Sequence, residues 1–402
     1  MDKGTVLATK QVSTVDLKTA DIPQEAAGKF PLTVTWEGVL TAPETNVYSI
    51  GVLAKGNSAM VMIDGKPLAM EYLDPEHMAA KAGHIRLEQG KKAAIKVRYE
   101  LNEKGPIEAQ LFWTKYDPRP SPDAITAAKN ADVVIAVLGI TSDLEGEEMP
   151  VSEEGFKGGD RISIDLPKPK EALLKAVAAT GKPLVLVLAN GSALAVNWAN
   201  ERVNAILDSW YAGEEGGAAI AETLSGQNNP AGRLPVTFYT GIEQLPAFED
   251  YAMQNRTYRY FKGKPLYPFG YGLSYTTFSY TNLTLPKAAI HAGDPLTAEV
   301  TVTNTGKLEG DEVVQLYLSF PSVPGAPLRA LRGFKRVHLN PGESQKVRFE
   351  LKDRDLSMVS EAGEPIVAEG SYSVSIGGGQ PNTAAPAVTG TIQVIGTKTL
   401  PE

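Results

Sequence analysis

What most constrains the fold of this chain is a change of hydrophobic period along it. Apolar residues recur every second position at both ends, while the middle carries unbroken apolar runs. Near the amino end, FPLTVTWEGVLTAPETNVYSIGVLAKGNSAMVMIDGKPL alternates apolar and polar residues and is cut by Gly and Pro, as half-buried antiparallel strands are. Asp64-Gly65, between MVMI and KPL, is a two-residue hairpin signal, because both central positions of a type I′ turn need φ > 0. An all-β sandwich over residues 1–117 is the expected result. Pro118, Pro120 and Pro122 then mark a linker, and Ser121-Pro122-Asp123 supplies an N-cap, a first-turn proline and an acidic first turn.

From that point DVVIAVLG, PLVLVLA, VNAILDSW and RLPVTFY read as strands. They alternate with the helical patterns KEALLKAVAATG, whose Leu173, Ala176 and Val177 share a face before a Gly181 C-cap, and EEGGAAIAETLSG. Strands apolar throughout predict an open, mostly parallel α/β sheet with helices on both faces, over residues 118–279. Period two returns in PLTAEVTVTNTG, DEVVQLYLSF, QKVRFELKD and GSYSVSIGG, which predict an immunoglobulin or fibronectin type III-like β-sandwich over residues 280–402. Three regions suit a chain of 402 residues, too long for one ordinary core.

The net charge of -8 argues against a nucleic-acid partner, which normally leaves a basic footprint. No stretch approaches 18 consecutive apolar residues, and MDKGTVLATK has no apolar core, so neither a membrane span nor a signal peptide is expected within this sequence. The absence of cysteine removes disulfides, thiolate nucleophiles and cysteine-ligated zinc, and leaves the compartment open.

Ser142 to Arg161, SDLEGEEMPVSEEGFKGGDR, carries six acidic residues: Asp143, Glu145, Glu147, Glu148, Glu153 and Glu154. It follows DVVIAVLG directly, and ligands of open α/β sheets sit beyond the carboxyl ends of the strands. Three readings stand side by side. A charge run can simply be solvated. Asp143, Glu145 and Glu147 have the 1-3-5 spacing of a calcium loop, although Glu148 fills the sixth position where such loops turn on Gly. One carboxyl, raised in pKa by like-charged neighbours, can also act as general acid-base.

Other constellations fail. The histidines, His77, His84, His291 and His338, all lie outside the α/β region, so a Ser-His-Asp triad has no base there. Ser192 in LANGSALA lacks the flanking glycines of a nucleophile elbow, and Asn190-Gly191 reads as a plain turn. YAGEEGGAAIAETL has neither G-x-G-x-x-G spacing nor a following Lys-Ser/Thr, so no phosphate cradle is expected, and Glu214 and Glu215 suit a helix N-terminus. Trp210 and Tyr211 could stack on sugars but are expected to pack. No cofactor or metal is expected.

ADVVIAVLG followed by LEGEEM and GGDRISIDLP, then GKPLVLVLANGSALAVNWA, WYAGEEGGAAIAETLSGQNNPAGRLPVTF, QLPAF and RTYRYFKGKPLYPFGYGLSYTTFSY, form an ordered set of blocks over residues 123–280. They resemble the carboxyl-terminal half of glycoside hydrolase family 3, the β-glucosidases and β-xylosidases. VTNTGKLEGDEVVQLYL and LRGFKRVHLNPGESQKVRFEL resemble that family's terminal fibronectin type III-like domain, and the first region resembles the protective-antigen-type (PA14) sandwich that some members carry as an insertion.

The resemblance implies a retaining exo-β-glycosidase acting on terminal β-D-glucosyl residues of oligosaccharides. An aspartate nucleophile would come from a TIM barrel that this sequence lacks, and the acid/base glutamate from the acidic stretch. LEGE matches the family's E-x-E pattern and nominates Glu147; SEEGFKGGDR matches a stretched form and nominates Glu154, with Glu148 and Glu145 as further alternates. Asp160-Arg161 is expected to be a loop-fixing ion pair. Partners implied are a glycoside substrate and a family barrel domain, from the same parent chain or a separate one, with a homo-oligomer also possible. The opening strands of the α/β domain are expected to be missing, leaving an exposed sheet edge. The lone chain is expected to be inactive and its parent periplasmic or extracellular. Alternatives are a β-xylosidase, or a non-catalytic carbohydrate-binding or assembly module of a split glycosidase. Calcium-dependent glycan binding by the first region is disfavoured, since its one suitable aspartate, Asp64, is taken up in a turn.

Overall fold

A computed structural model describes residues 5–55, 58–72, 79–101, 107–117, 119–142, 144–145, 154–157, 160–286 and 289–401. The chain is rich in β-structure, with several sheets and few helices, and it divides into two compact units, Met1–Pro118 and Arg119–Glu402.

The first unit contains β1 (Asp16–Lys18), β2 (Leu32–Thr41), β3 (Asn46–Lys55), β4 (Ser58–Ile63), β5 (Lys66–Tyr72), β6 (Ala79–Leu87), β7 (Lys92–Leu101) and β8 (Glu108–Lys115). They form two four-stranded sheets in the orders β1-β8-β3-β6 and β2-β7-β4-β5. Alternation does the folding here: every second residue of β7, from Ala93 to Leu101, is buried, together with Ile50, Val52, Val61 and Ile63. The hairpin between β4 and β5 turns on Asp64 and Gly65 at φ 49° and 76°, and the Asp64 carboxylate accepts the Ala94 amide at 2.8 Å.

The second unit opens with α1 (Pro122–Asn130) and the edge strand β9 (Val134–Gly139). The short hairpin β10 (Phe156–Lys157) and β11 (Asp160–Arg161) follows, then α2 (Lys168–Ala178), β12 (Leu184–Ala189), α3 (Asn197–Arg202), β13 (Ala205–Asp208), α4 (Gly216–Ser225) and α5 (Thr257–Tyr260). Pro122 starts α1 as expected, but Ser121 caps it through its carbonyl, which accepts the Ile125 amide at 3.2 Å, and not through its side chain. The core face of α2 is Leu174 and Val177, with Leu173 partly buried beside them.

Strands β9, β12 and β13 run parallel in the order β13-β12-β9. The central β12 is enclosed, with Leu184, Leu186, Val187 and Leu188 buried. β9 departs from the expectation of uniform burial: Ile135 and Val137, two residues apart and so on one face of the strand, are 53% and 62% exposed, which leaves that face uncovered among the described residues. RLPVTFY also departs from the expected strand. It makes one isolated bridge, Phe238 to Tyr267, because Pro235 on one side and Pro265 and Pro268 on the other remove the amides a longer ladder needs.

The remaining strands are β14 (Phe278–Thr284), β15 (Ile290–His291), β16 (Leu296–Asn304), β17 (Gly310–Ser319), β18 (Ala330–Leu339), β19 (Ser344–Leu351), β20 (Met358–Val359), β21 (Pro365–Val367), β22 (Gly370–Gly377), β23 (Ala387–Ile395) and β24 (Lys398–Thr399), with the short helix α6 (Asp353–Leu356) before β20. Sheets β14-β16-β19 and β15-β23-β22-β17-β18 share one apolar core that includes Leu296, Val300, Leu316, Val347, Tyr372 and Ile376. Inside this unit Arg233 meets Glu312 of β17 at 2.8 Å, and the same carboxylate accepts the Tyr280 hydroxyl of β14 at 2.6 Å.

Candidate active site

The three parallel strands end together at Gly139, Ala189 and Asp208, so the segments that follow them share one edge of the sheet. After β9 the ladder continues for one bond, Ile140 amide to Ala189 carbonyl at 2.9 Å, before a turn closed by Leu144 amide to Thr141 carbonyl at 2.9 Å. That turn carries Glu145 across to the loop after β12. Its carboxylate accepts the Gly191 amide at 2.9 Å, the Ser192 hydroxyl and the Tyr211 hydroxyl, the last from the loop after β13.

Arg161, at the far end of the acidic stretch, comes to the same place. Its Nη1 donates to Ser192 Oγ at 2.8 Å and lies 3.9 Å from the Glu145 carboxylate, while its Nε donates to the Ser163 carbonyl at 2.9 Å. The Glu145 and Arg161 side chains are 12% and 14% exposed. The Ala195 amide donates to the Ile164 carbonyl at 2.8 Å, which ties the segment after Arg161 to the loop after β12. Burial lowers the Arg161 pKa and the Glu145 carboxylate opposes it; burial of the hydroxyl and then the bond to Glu145 raise that of Tyr211.

Two further groups line this edge. Asn190 is wholly buried, and its side-chain amide donates to the Ser192 carbonyl at 3.0 Å. Asp208 is pushed up to about 6 by burial, against the Trp210 amide and the Asn190 side chain; its Oδ2 is buried without a partner. Trp210 holds φ 53°, an uncommon backbone state for a bulky residue, and packs edge-on against Phe238 with ring centres 6.1 Å apart.

The predicted site residues separate. Glu147 and Glu148 lie outside the described residues, as do Asp143 and Glu153 of the same stretch. Glu145 sits in the cluster just described. Glu154 lies elsewhere, 72% exposed at its side chain and paired with Lys168. Arg161 pairs with Glu145 and not with Asp160, because Asp160 is exposed on the β10–β11 hairpin while the guanidinium turns inward to Ser192. Tyr211 is 42% exposed with its hydroxyl on Glu145, so it does not pack away as expected; Trp210 is half-buried.

Sequence reasoning rejected Ser192 as a nucleophile and read Asn190-Gly191 as a plain turn, and so assigned neither Gly191 nor Ser192 to the site. A Cβ at residue 191 would sit 2.7 Å from the Tyr211 ring and 2.9 Å from the Glu145 carboxylate, so the cluster closes only over glycine. The available signal was an Asn-Gly-Ser loop directly after a buried strand at the functional edge of the sheet. A cleft of ≈ 840 Å³ elsewhere in this unit, lined by Arg233, Tyr258, Glu312 and Arg329, includes none of these residues, and the carboxylate that lines it is already paired. Among the described residues no three His, Cys, Asp or Glu side chains converge as metal ligands.

Comparison with known proteins adds the following. The family described as Glycosyl hydrolase family 3 C-terminal domain matches residues 47–275, and a Fibronectin type III-like domain matches residues 312–380. A xylan 1,4-beta-xylosidase of Xylanibacter ruminicola is 37% identical over 346 residues, 85% of this chain and 39% of that protein. A periplasmic beta-glucosidase of Salmonella typhimurium is 38% identical over 297 residues, 69% of this chain and 37% of that protein. Among solved structures, DesR, a beta-glucosidase from Streptomyces venezuelae in complex with D-glucose, aligns with TM-score 0.67 at 25% identity over 90% of this chain and 46% of its own. The beta-glucosidase of Kluyveromyces marxianus in complex with glucose aligns with TM-score 0.62 at 27% identity over 91% and 45%. The chain thus spans less than half the length of each of these relatives.

Proposed function

The chain belongs to glycosyl hydrolase family 3, and on that premise we propose that it supplies the acid/base carboxylate of a retaining exo-β-glycosidase that removes terminal β-D-glucosyl residues from oligosaccharides. The observation that carries this reading is the convergence of both ends of the acidic stretch, Glu145 and Arg161, on the loop after β12 at the carboxyl edge of the parallel sheet. The names of the two solved relatives, both β-glucosidases, support the glucoside; that of the Xylanibacter ruminicola relative keeps a β-xyloside as the alternative substrate. In this reading the chain has three domains: a protective-antigen-type sandwich at 1–117, an α/β domain with helices on both faces at 118–279, and a fibronectin type III-like domain at 280–402.

Within the acidic stretch the acid/base is Glu147, with Glu148 next. Glu145 is less suited, since three donors already occupy its carboxylate, and Glu154 is engaged with Lys168 at the surface. Retaining hydrolysis needs a second carboxylate about 5 Å away as nucleophile. That aspartate belongs to a barrel domain, on the same parent chain or a separate one. Glu147 protonates the departing glycosidic oxygen while the aspartate attacks the anomeric carbon; as carboxylate it then takes a proton from the water that releases the sugar. The chain alone is inactive, and the parent works in the periplasm or outside the cell, as the name of the Salmonella relative supports.

The test is hydrolysis of an aryl β-glucoside and an aryl β-xyloside by the purified chain, alone and with a family barrel domain added. Expected is turnover only in the complemented sample, faster on the glucoside and lowered about 10²–10⁴-fold by Glu147→Ala. Turnover by the chain alone would place the nucleophile within it and overturn the reading. A second reading, a non-catalytic assembly module of a split glycosidase, is favoured by one observation: among the described residues nothing pairs with the outer edge of β9, a template for strand addition, and Ile135 and Val137 on one of its faces are exposed. Complex formation with the barrel without turnover would favour it.

A further inference from the structure

We infer that Ser192 is a positioning residue: its hydroxyl ties Glu145 to Arg161, the two described residues that bracket the proposed acid/base in sequence, and through them it acts on proton transfer by that carboxyl. This rests on the acid/base reading above and deepens it. Glu145 and Arg161 bracket residues 146–160 in sequence, and both reach the same oxygen. Ser192 Oγ donates its proton to the Glu145 carboxylate and accepts from Arg161 Nη1 at 2.8 Å. The guanidinium and carboxylate are 3.9 Å apart at their nearest, so the hydroxyl stands between them as relay and does not merely decorate a direct ion pair.

Each neighbouring contact points the same way. The Gly191 amide and the Tyr211 hydroxyl both donate to the other oxygen of Glu145, and Arg161 is held from behind by the Ser163 carbonyl. Both charged side chains are nearly buried, so neither can swing into water without leaving the other unpaired. Ser192 follows β12, the central strand of the sheet, which makes it the rigid point against which two loop ends are registered. A hydroxyl is required because it must donate on one side and accept on the other; alanine does neither.

The consequence is specific to proton transfer. A general acid displaced by about 1 Å loses on the order of 10²-fold in rate when the leaving group needs a proton, and nothing when it does not. The experiment compares the chain and its Ser192→Ala variant, each complexed with a family barrel domain, on phenyl β-glucoside and on 2,4-dinitrophenyl β-glucoside. Expected is a fall of about 10²-fold in kcat/KM on the phenyl substrate, with the dinitrophenyl substrate changed by less than about threefold. Ser192→Thr, which keeps donor and acceptor, is expected to recover most of the loss. An equal fall on both substrates would make Ser192 a merely structural residue and overturn the inference. Hydrogen exchange on the chain alone keeps the two readings apart. Faster exchange at the Gly191 and Ala195 amides in Ser192→Ala supports the clasp, and unchanged exchange overturns it. If the unmodified complex hydrolyses neither substrate, the proposed activity falls, the positioning role falls with it, and the exchange result still decides whether the clasp exists.

Discussion

The second unit holds two clusters of the same composition, one glutamate, one arginine and one tyrosine, built to different ends. In Glu312–Arg233–Tyr280 the guanidinium touches the carboxylate directly at 2.8 Å, the tyrosine closes it at 2.6 Å, and the glutamate side chain is 3% exposed. In Glu145–Arg161–Tyr211 the charges stand 3.9 Å apart with a serine hydroxyl between them. The first joins two strands of the sandwich, β14 and β17, to the segment at Arg233, and burial raises the Glu312 pKa despite the arginine. In the second, Glu145, Ser192 and Tyr211 sit on segments that follow strands of the parallel sheet, and Arg161 sits on the two-residue strand β11. A carboxylate and a tyrosine on long paired strands make a cross-link, whereas a carboxylate and a tyrosine on loops make a holder whose geometry depends on a small neutral group.

The largest effect separates the two directly. Arg233→Met leaves the Glu312 carboxylate buried with only the Tyr280 hydroxyl, and breaking such a pair from one side costs about 3–5 kcal/mol. Urea unfolding of the full chain at pH 7 is expected to show that loss, and the variant should recover in acid, where the stranded carboxyl takes up a proton. If Arg233→Met costs no more than the Glu145 substitution described below, the contrast between cross-link and holder collapses.

Asp208, at the end of β13, sharpens the comparison from the side of the holder. Its folded pKa is about 6 against an ordinary value of 3.8, so between those values the folded chain binds more protons than the unfolded one. Stability therefore falls as pH rises from about 4 to about 6 and stays lower above that, by about 3 kcal/mol over the full span. Asp208→Asn is expected to remove that slope and to stabilise the chain at pH 7, as read from urea midpoints between pH 4 and 7. A variant with the same slope as the parent would show that the titrating group lies elsewhere.

How much of this was legible in the sequence follows from the range over which each signal acts. Asp64-Gly65, Pro122 and the alternation of β4 are local, and they located their elements. Exposure of Ile135 and Val137 was not readable from their apolar run, since whether a strand face is covered depends on what packs against it and not on the strand. RLPVTFY read as a strand because its own apolar content hides the prolines on the opposite segment at 265 and 268. At the site, the acidic stretch announced itself by charge. Ser192 and Gly191 did not, because their role arises only where three separate loops meet. The Asp160-Arg161 pairing misled for the same reason: neighbours in sequence on a two-residue strand point to opposite sides, and the guanidinium turned to Glu145.

Glu145→Gln tests the holder with a smaller perturbation. The amide keeps one acceptor oxygen, enough for the Gly191 amide and the Tyr211 hydroxyl that share Oε2, but it sets an NH2 group where Ser192 donated to Oε1 and removes the charge opposite Arg161. A hydrogen bond to a charged group contributes about 1.5–3 kcal/mol, and with the Gly191 and Tyr211 donors still accepted a loss of about 2 kcal/mol is expected in the same urea measurement. A loss of 4 kcal/mol or more, on the order expected for a broken buried pair, would mean that the site cluster is as much a structural cross-link as the one in the sandwich.

The smallest effect belongs to a third acidic–basic group, which marks the solvent limit of the comparison. On paired strands β17 and β18, His338 faces Asp311 in register; its Nδ1 lies 2.8 Å from that carboxylate, and Arg336 reaches the same residue at 2.5 Å. The bond to Asp311 raises the His338 pKa. Burial alone would raise Asp311, but the two basic partners outweigh it and lower its pKa. The histidine's contribution is therefore fully present below its ordinary pKa of 6.5 and is lost as pH climbs through its raised folded value. The aspartate's is present above its ordinary 3.8 and fades as pH falls through its lowered one. His338→Gln should flatten only the alkaline side of the stability profile, by less than either buried cluster, and 0.5 M salt should flatten it further, because exposed pairs are screened where buried ones are not. An alkaline slope that survives both the substitution and the salt would have to come from a group out of reach of solvent.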